Sequence, residues 1–294
     1  MIMTVESVFG ASGRHIATLD TKRLVAWYES AFGVDITRFF QGTPQIRQYE
    51  CQRTGYRFWT PSGVAGDEAF YTSLSASRQN YYRRSRWEYP LAQARIPRGA
   101  RLLEIGCGRG YFLSRVEDFC RSSRGLDFNP AAINSKVCSS DILPESIKEH
   151  TATGAQYDVV VSFHVFEHVH DPAALLDAIL SALLPGGILI ISTPNDDFAR
   201  HVRLEDPLNL PPHHVGGFTP QAFTTIFDIF DLQRVSVTSQ PCRFGLPRYS
   251  ERTEGSRSFR LFKRAVSATG TRLLNALGEP GHTLLAVATK PALP

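Results

Sequence analysis

The sequence predicts an α/β protein: a doubly wound, mostly parallel seven-stranded sheet with an α-helical extension at its N-terminus. Three features carry this reading. Short, wholly apolar runs alternate with helical patterns between residues 97 and 240, and strands that are apolar on both faces belong to a parallel sheet covered by helices on each side. A glycine-rich turn, "LLEIGCGRGYF" at 102–112, leads from the first of these runs into a helical pattern. Two last runs, "LQRVSVTSQ" and "TLLAVATKP", bring the strands to seven.

The elements follow in order. Residues 1–90 form the extension, a helical and hairpin unit that also supplies a lid. In it, "TLDTKRLVAWYESAFG" sets Leu24, Val25, Tyr28 and Phe32 near one helical face, and Gly33 stops the helix. "YECQRTGYRFWTP" is short and aromatic and reads as a hairpin, and "GDEAFYTSLSASRQNYYRRSRWEYPLAQAR" reads as a helix pair. Residues 91–294 form the main domain. "ARLLEIGC", "RGLDFN", "SSDI", "YDVVVSFH" and "ILIISTPN" are its parallel strands. Between the last two, "DPAALLDAILSALLPGG" is a helix with Asp171 as N-cap, Pro172 in its first turn and Gly186 beyond its end. "TPQAFTTIFDIF" is the last regular helix, and an arginine-bearing helical insertion occupies 242–281.

The totals narrow the function. A net charge of +4 implies no strong polyanion partner. The five cysteines form no CxxC pair, and Cys51 is followed by Thr54, so neither a zinc ribbon nor any other metal site is expected. No run approaches the ~18 apolar residues of a membrane span, and "MIMTVESVFGASGRH" carries no apolar core of a signal peptide, so the expected location is the cytoplasm.

Glycines are needed where backbone approaches a ligand closely, and the start of the helix that follows favours negative groups. A dinucleotide turn asks for G-x-G-x-x-G. Here Tyr111 holds the sixth position and Gly110 comes one place earlier, which argues against a nicotinamide dehydrogenase. Glu104 stands two residues before Gly106, and Asp127 ends the next strand.

With these residues the chain resembles the class I S-adenosylmethionine-dependent methyltransferases, whose fold is Rossmann-like. The likeness is carried by "LLEIGCGRGYF", "GLDFNPAAI", "SSDI" and "YDVVVSFHVFEHVHDPAALLDAILSALLPGGILIISTPN" in that order, together with the closing strand pair. The "FEHV-DP" to "PN" run is similar to bacterial small-molecule methyltransferases of the ubiquinone-biosynthesis kind, and "YECQRTGYRF" resembles the front of methyltransferases linked to sugars. The resemblance implies S-adenosylmethionine as cofactor, released as S-adenosylhomocysteine. It implies that Gly106, Cys107, Gly108 and Gly110 shape the loop around the methionine part and that Glu104 braces it. Asp127 binds the ribose and Phe128 covers the adenine. Asp141 accepts from the adenine amino group beside Ile142. Phe163 and His164 lie under the sulfonium, and Arg86 pairs with the cofactor carboxylate.

Transfer from a sulfonium needs in-line positioning, and a hydroxyl acceptor also needs a base. His164 ends the fourth strand, at the edge where ligands bind in this architecture. "NLPPHHVGGFTP" follows the fifth, and His214, then His213, are the candidate base or substrate orienter. Tyr71, Tyr82 and His168 are candidates for acceptor contact, and Tyr71, Tyr81, Tyr82, Arg86 and Trp87 form a candidate lid. The partner expected is a small-molecule or sugar-containing acceptor, most simply methylated at oxygen. Nucleic acid is not expected, because "FHVFEH" stands where an "NPPY" motif belongs. The alternatives are an N- or C-methyltransferase or a catalytically silent cofactor-binding scaffold. The basic helix near 257–274 offers a surface for phosphate, anionic lipid or a second subunit, so a homodimer is among the expected partners.

Overall fold

The computed structural model describes residues 5–78, 81–199, 206–241 and 280–292. The chain starts on an antiparallel sheet of β1 (Glu6–Ser7), β2 (Ala11–Asp20), β3 (Gln45–Cys51) and β4 (Arg57–Thr60). Helix α1 (Thr21–Phe32) begins where the Asp20 side chain accepts from the Arg23 N–H, and ends at Gly33 with φ 65°. Helix α2 (Glu68–Ser77) is capped by Asp67. Leu24, Tyr28, Ile46, Trp59, Phe70 and Leu74 build a core of their own under this sheet. The extension therefore contains the helices and hairpin read from the sequence, and β1 and β2 in addition. Among the ten residues of β2 only Leu19 is buried, so the strand has no apolar alternation to reveal it.

Helix α3 (Glu88–Gln93) leads into the central sheet. There β5 (Arg101–Ile105), α4 (Leu113–Val116), β6 (Ser122–Leu126), α5 (Pro130–Asn134), β7 (Asp141–Leu143), α6 (Ile147–Thr151) and β8 (Tyr157–Phe163) alternate. They continue into α7 (Pro172–Ala182), β9 (Leu183–Pro194), α8 (Asp196–Ala199), β10 (Gly216–Gly217), α9 (Pro220–Ile229), β11 (Gln233–Pro241) and β12 (Pro280–Thr289). The order across the sheet is β11-β12-β9-β8-β5-β6-β7, parallel from β9 to β7, with β12 antiparallel to both β9 and β11. Side chains alternate across a strand. Val160 therefore joins one core layer with Leu103, Leu189 and Ile191, whereas Val159 and Val161 join the other with Leu102 and Ile190. Each such side chain contributes about 1.5–3 kcal/mol by leaving water, which is why Val159, Val160 and Val161 follow one another in β8, while Asp158 at the strand's start reaches out to Arg101. Helix α7 stops at Ala182, before the expected "LLPGG" turn, because Leu183 already pairs with Tyr157 in the sheet. The insertion expected at 242–281 falls, as far as residue 279, outside the described residues. Among the described residues no helix is long and apolar enough to cross a membrane.

Two features lock the extension to the central domain. β10 pairs antiparallel with β4 and completes the extension's sheet. Arg57, on β4, donates to Glu50 Oε2 at 3.0 Å, to Asp196 Oδ2 at 2.7 Å and to Asp197 Oδ1 at 3.3 Å. The Arg57 and Asp196 side chains are only 6% and 1% exposed.

Candidate active site

The glycine turn sits at the carboxyl edge of β5. Gly106, Gly108 and Gly110 have φ of 68°, 55° and 75°, a region costly for other residues. A Cβ at Gly106 would strike Val165, and one at Gly108 would lie 2.5 Å from the Tyr82 ring. The Gly106 and Cys107 N–H groups donate to Leu126 O. Asp127 fastens the far side: Oδ2 accepts from the Gly108 N–H at 2.7 Å and Oδ1 from the Asn129 N–H at 2.8 Å. Burial raises the Asp127 pKa, and those backbone donors oppose the rise.

A cavity opens over this turn. Glu104, Gly106, Cys107, Gly108, Arg86 and Phe163 line it, with Tyr82, Tyr89 and Tyr111 around them. Glu104 is 2% exposed, and its Oε2 has no hydrogen-bond partner among the described residues. Burial pushes this carboxyl well above the usual range, and the charge of Asp127 adds to the shift. A carboxyl whose folded pKa is raised favours the fold at low pH, and that contribution is lost as pH climbs through the folded value. Glu104→Gln removes the titration. The stability of the variant relative to the wild type is therefore expected to rise between about pH 5 and about pH 8 in urea denaturation; a pH-independent difference would contradict this.

The other residues proposed for the cofactor divide into two groups. Phe163 faces the cavity from the end of β8, packed on Phe112 and Tyr89 at 4.7 and 5.2 Å between ring centroids. Phe128 is 54% exposed beside Asp127, and Ile142 is buried next to Gly110. Asp141 is not brought to the cavity: it opens β7 two residues before the sheet edge, 73% exposed and 4.0 Å from Arg124. Tyr82, expected to touch the acceptor, instead covers Gly108, its hydroxyl accepting from Asn129 Nδ2 at 2.8 Å.

The histidines separate in the same way. His164 takes the left-handed conformation, φ 56°. Its Nδ1 lies 3.1 Å from Glu167 Oε1 and its Nε2 3.1 Å from Glu88 Oε1. Burial and Arg86 push its pKa down, yet the two carboxylates prevail and hold it above the ordinary value. With both nitrogens engaged, His164 has no lone pair for an acceptor proton, so it serves as a half-buried link between Glu88 and Glu167.

His168, His213 and His214 gather beside it. The His213 and His214 rings stack at 4.5 Å, and the His168 ring lies 4.6 and 4.9 Å from them. His168 Nδ1 donates to His213 O at 2.6 Å and His213 Nδ1 to Leu208 O at 2.8 Å, since a carbonyl only accepts. Tyr71 donates to His213 O at 3.3 Å and packs edge-on against His168. Burial pushes His213 well below the usual histidine range, with His168 adding to it, so the ring is neutral.

A family of methyltransferase domains matches residues 78–237, just over half of the chain. The chain belongs to this methyltransferase family. An S-adenosylmethionine-dependent methyltransferase of Mycolicibacterium smegmatis is 36% identical over 100 residues, 33% of this chain and 39% of that protein. The ubiquinone biosynthesis O-methyltransferase of Cereibacter sphaeroides is 34% identical over 104 residues, 33% of this chain and 42% of that protein. The match thus spans about two fifths of these curated relatives. In fold, the chain is similar to a chain of the complex between the Haloferax volcanii Trm112 methyltransferase activator and a methyltransferase, with TM-score 0.50 and 18% identity over 70% of this chain and 89% of that one.

Two residues of this candidate site escaped sequence reading. Glu88 meets His164 from 76 residues away, and Asn129 joins the Asp127 turn to Tyr82. Asn129 had a signal, since Asn before Pro130 is a standard N-cap. Glu88 follows an arginine-rich stretch with no periodicity to single it out.

Proposed function

We propose that the protein transfers a methyl group from S-adenosylmethionine to a hydroxyl oxygen of a small-molecule or sugar-containing acceptor. The observation that carries this is the buried Glu104 carboxyl in the lining of the cavity over the glycine turn, its Oε2 without a partner, since a buried carboxylate oxygen left unsatisfied is costly and suits a ligand ammonium group. Arg86, in the same lining, suits a ligand carboxylate. An amino-acid moiety carries both groups. Asp127 would hold the ribose hydroxyls beside the turn, and exposed Phe128 would cover the base.

When bound, S-adenosylmethionine supplies a methyl group on a sulfonium that leaves as a neutral thioether. This chain then has to hold the acceptor in line, keep water out and move one proton. His213 and His214, buried on the loop after β9 and flanked by Tyr71 and His168, are the groups for the acceptor proton. Oxygen is favoured over nitrogen by the relative whose name states O-methylation.

The test has two parts. Purified protein is incubated with radiolabelled S-adenosylmethionine and sets of phenolic and sugar hydroxyl acceptors, and label transfer is expected. Calorimetry then follows S-adenosylhomocysteine binding. Asp127→Ala removes two hydrogen bonds to a charged group, each contributing about 1.5–3 kcal/mol, and an affinity loss of about 10²–10⁴-fold is expected. Unchanged affinity would remove Asp127 from the cofactor site.

A further inference from the structure

The three histidines gathered around the His213 carbonyl have the composition and wiring of a metal centre. One ring nitrogen from each of His168, His213 and His214 lies within 4.8 Å of the other two. Nitrogens sharing a zinc ion at 2.0–2.1 Å stand about 3.4 Å apart, so modest ring movements bring them onto one ion. The tautomers are already set. His168 Nδ1 donates to His213 O and His213 Nδ1 donates to Leu208 O, which leaves the lone pair of each ring on Nε2; that of His213 accepts from the Tyr81 hydroxyl at 3.3 Å, a long contact that an ion would displace. Metal-ligating histidines are oriented in this way, by a carbonyl or carboxylate on the other nitrogen. Glu167 supplies a second, independent sign. Its side chain is 2% exposed, its Oε2 has no hydrogen-bond partner among the described residues, and its Oε1 lies 3.9 Å from His168 Nε2. A buried carboxylate oxygen left without a partner is costly, and here only the other oxygen, Oε1, is taken up, by His164 Nδ1 at 3.1 Å.

We propose that His168, His213 and His214 bind one divalent transition-metal ion of the imidazole-preferring class, zinc or cobalt, with Glu167 as the adjoining carboxylate. Softer thiolate chemistry is absent from the cluster, and magnesium or calcium would call for a set of oxygens. Three imidazoles leave a fourth position open, the arrangement of a catalytic rather than a structural zinc. With the ion bound, His213 and His214 would spend their lone pairs on it, so an acceptor oxygen held at the open position would lose its proton more readily, and to solvent instead of to these rings; this use of the ion rests on the methyl-transfer reading, whereas its binding does not.

Binding is measured without any acceptor or cofactor. The full chain is stripped with a chelator, dialysed and titrated with Co²⁺, followed by visible absorption and calorimetry. One ion per chain, with the intense bands of a four- or five-coordinate site, is the expected result; no stoichiometric binding overturns the proposal. His168→Ala and His213→Ala are each expected to weaken Co²⁺ binding about 100-fold or more. The milder His214→Asn guards against loss of fold, checked by circular dichroism, and is expected to weaken binding and alter the bands. Folded variants that keep wild-type affinity place the ion elsewhere and overturn the assignment. Because no methyl transfer enters the readout, a failed methylation assay with intact Co²⁺ binding counts against the enzymatic reading alone.

Discussion

Replacing His214 with alanine is expected to lower turnover by about 10²–10⁴-fold, the usual contribution of a positioned acid or base. The affinity for S-adenosylhomocysteine should stay close to that of the wild type. His214 is seated in the acceptor cluster against His168 and His213, while the cofactor turn is held by Asp127, Gly108 and Asn129. The measurement is the turnover number with a hydroxyl acceptor, set beside calorimetry of the same preparation. Added imidazole should restore part of the rate, an outcome that a merely structural histidine would not give. Full turnover in a folded His214→Ala variant would remove this residue from the chemistry, and a parallel loss of cofactor affinity would point to collapse of the loop instead.

Arg57→Ala is the substitution expected to cost most stability. Breaking a buried ion pair by removing one partner leaves an uncompensated charge and typically costs about 3–5 kcal/mol. Arg57 donates to both the carboxylate and the backbone carbonyl of buried Asp196, and it also reaches Glu50. Urea denaturation of the two proteins measures the loss directly. Asp196→Asn placed on top of Arg57→Ala removes the stranded charge, so the double variant should recover part of the deficit. A loss below about 1 kcal/mol would mean that water screens the pair as it does on a surface.

The central sheet was legible because its strands are buried on both sides, and the runs 159–163 and 189–192, buried at every residue, carry that fact. The caps of α5 and α7 were legible too, since Asn129–Pro130 and Asp171–Pro172 are local signals. β2 was not, because a strand with polar residues on both faces writes no period. The site divides along the same line. The glycine turn and Asp127 lie within 22 residues of chain and announced themselves. The pairing of His164 with Glu88, and of His168 with the His213 carbonyl, joins segments 76 and 45 residues apart, and one sequence holds no record of such contacts. His164 shows the consequence: its place at the end of β8 suggested a base, and its two carboxylate partners assign it to bracing.

The histidine loop is seated from the extension's side. Tyr28 donates to Leu210 O, the Gly66 N–H donates to Pro212 O, the Trp59 N–H donates to Val215 O, and β10 is the fifth strand of the extension's sheet. On the proposed reading of this loop, acceptor recognition is written in two stretches of gene that touch only after folding. A chimaera joined once near residue 90 would pair one parent's loop with the other parent's seat, and a transplant meant to change acceptor preference has to carry both stretches together.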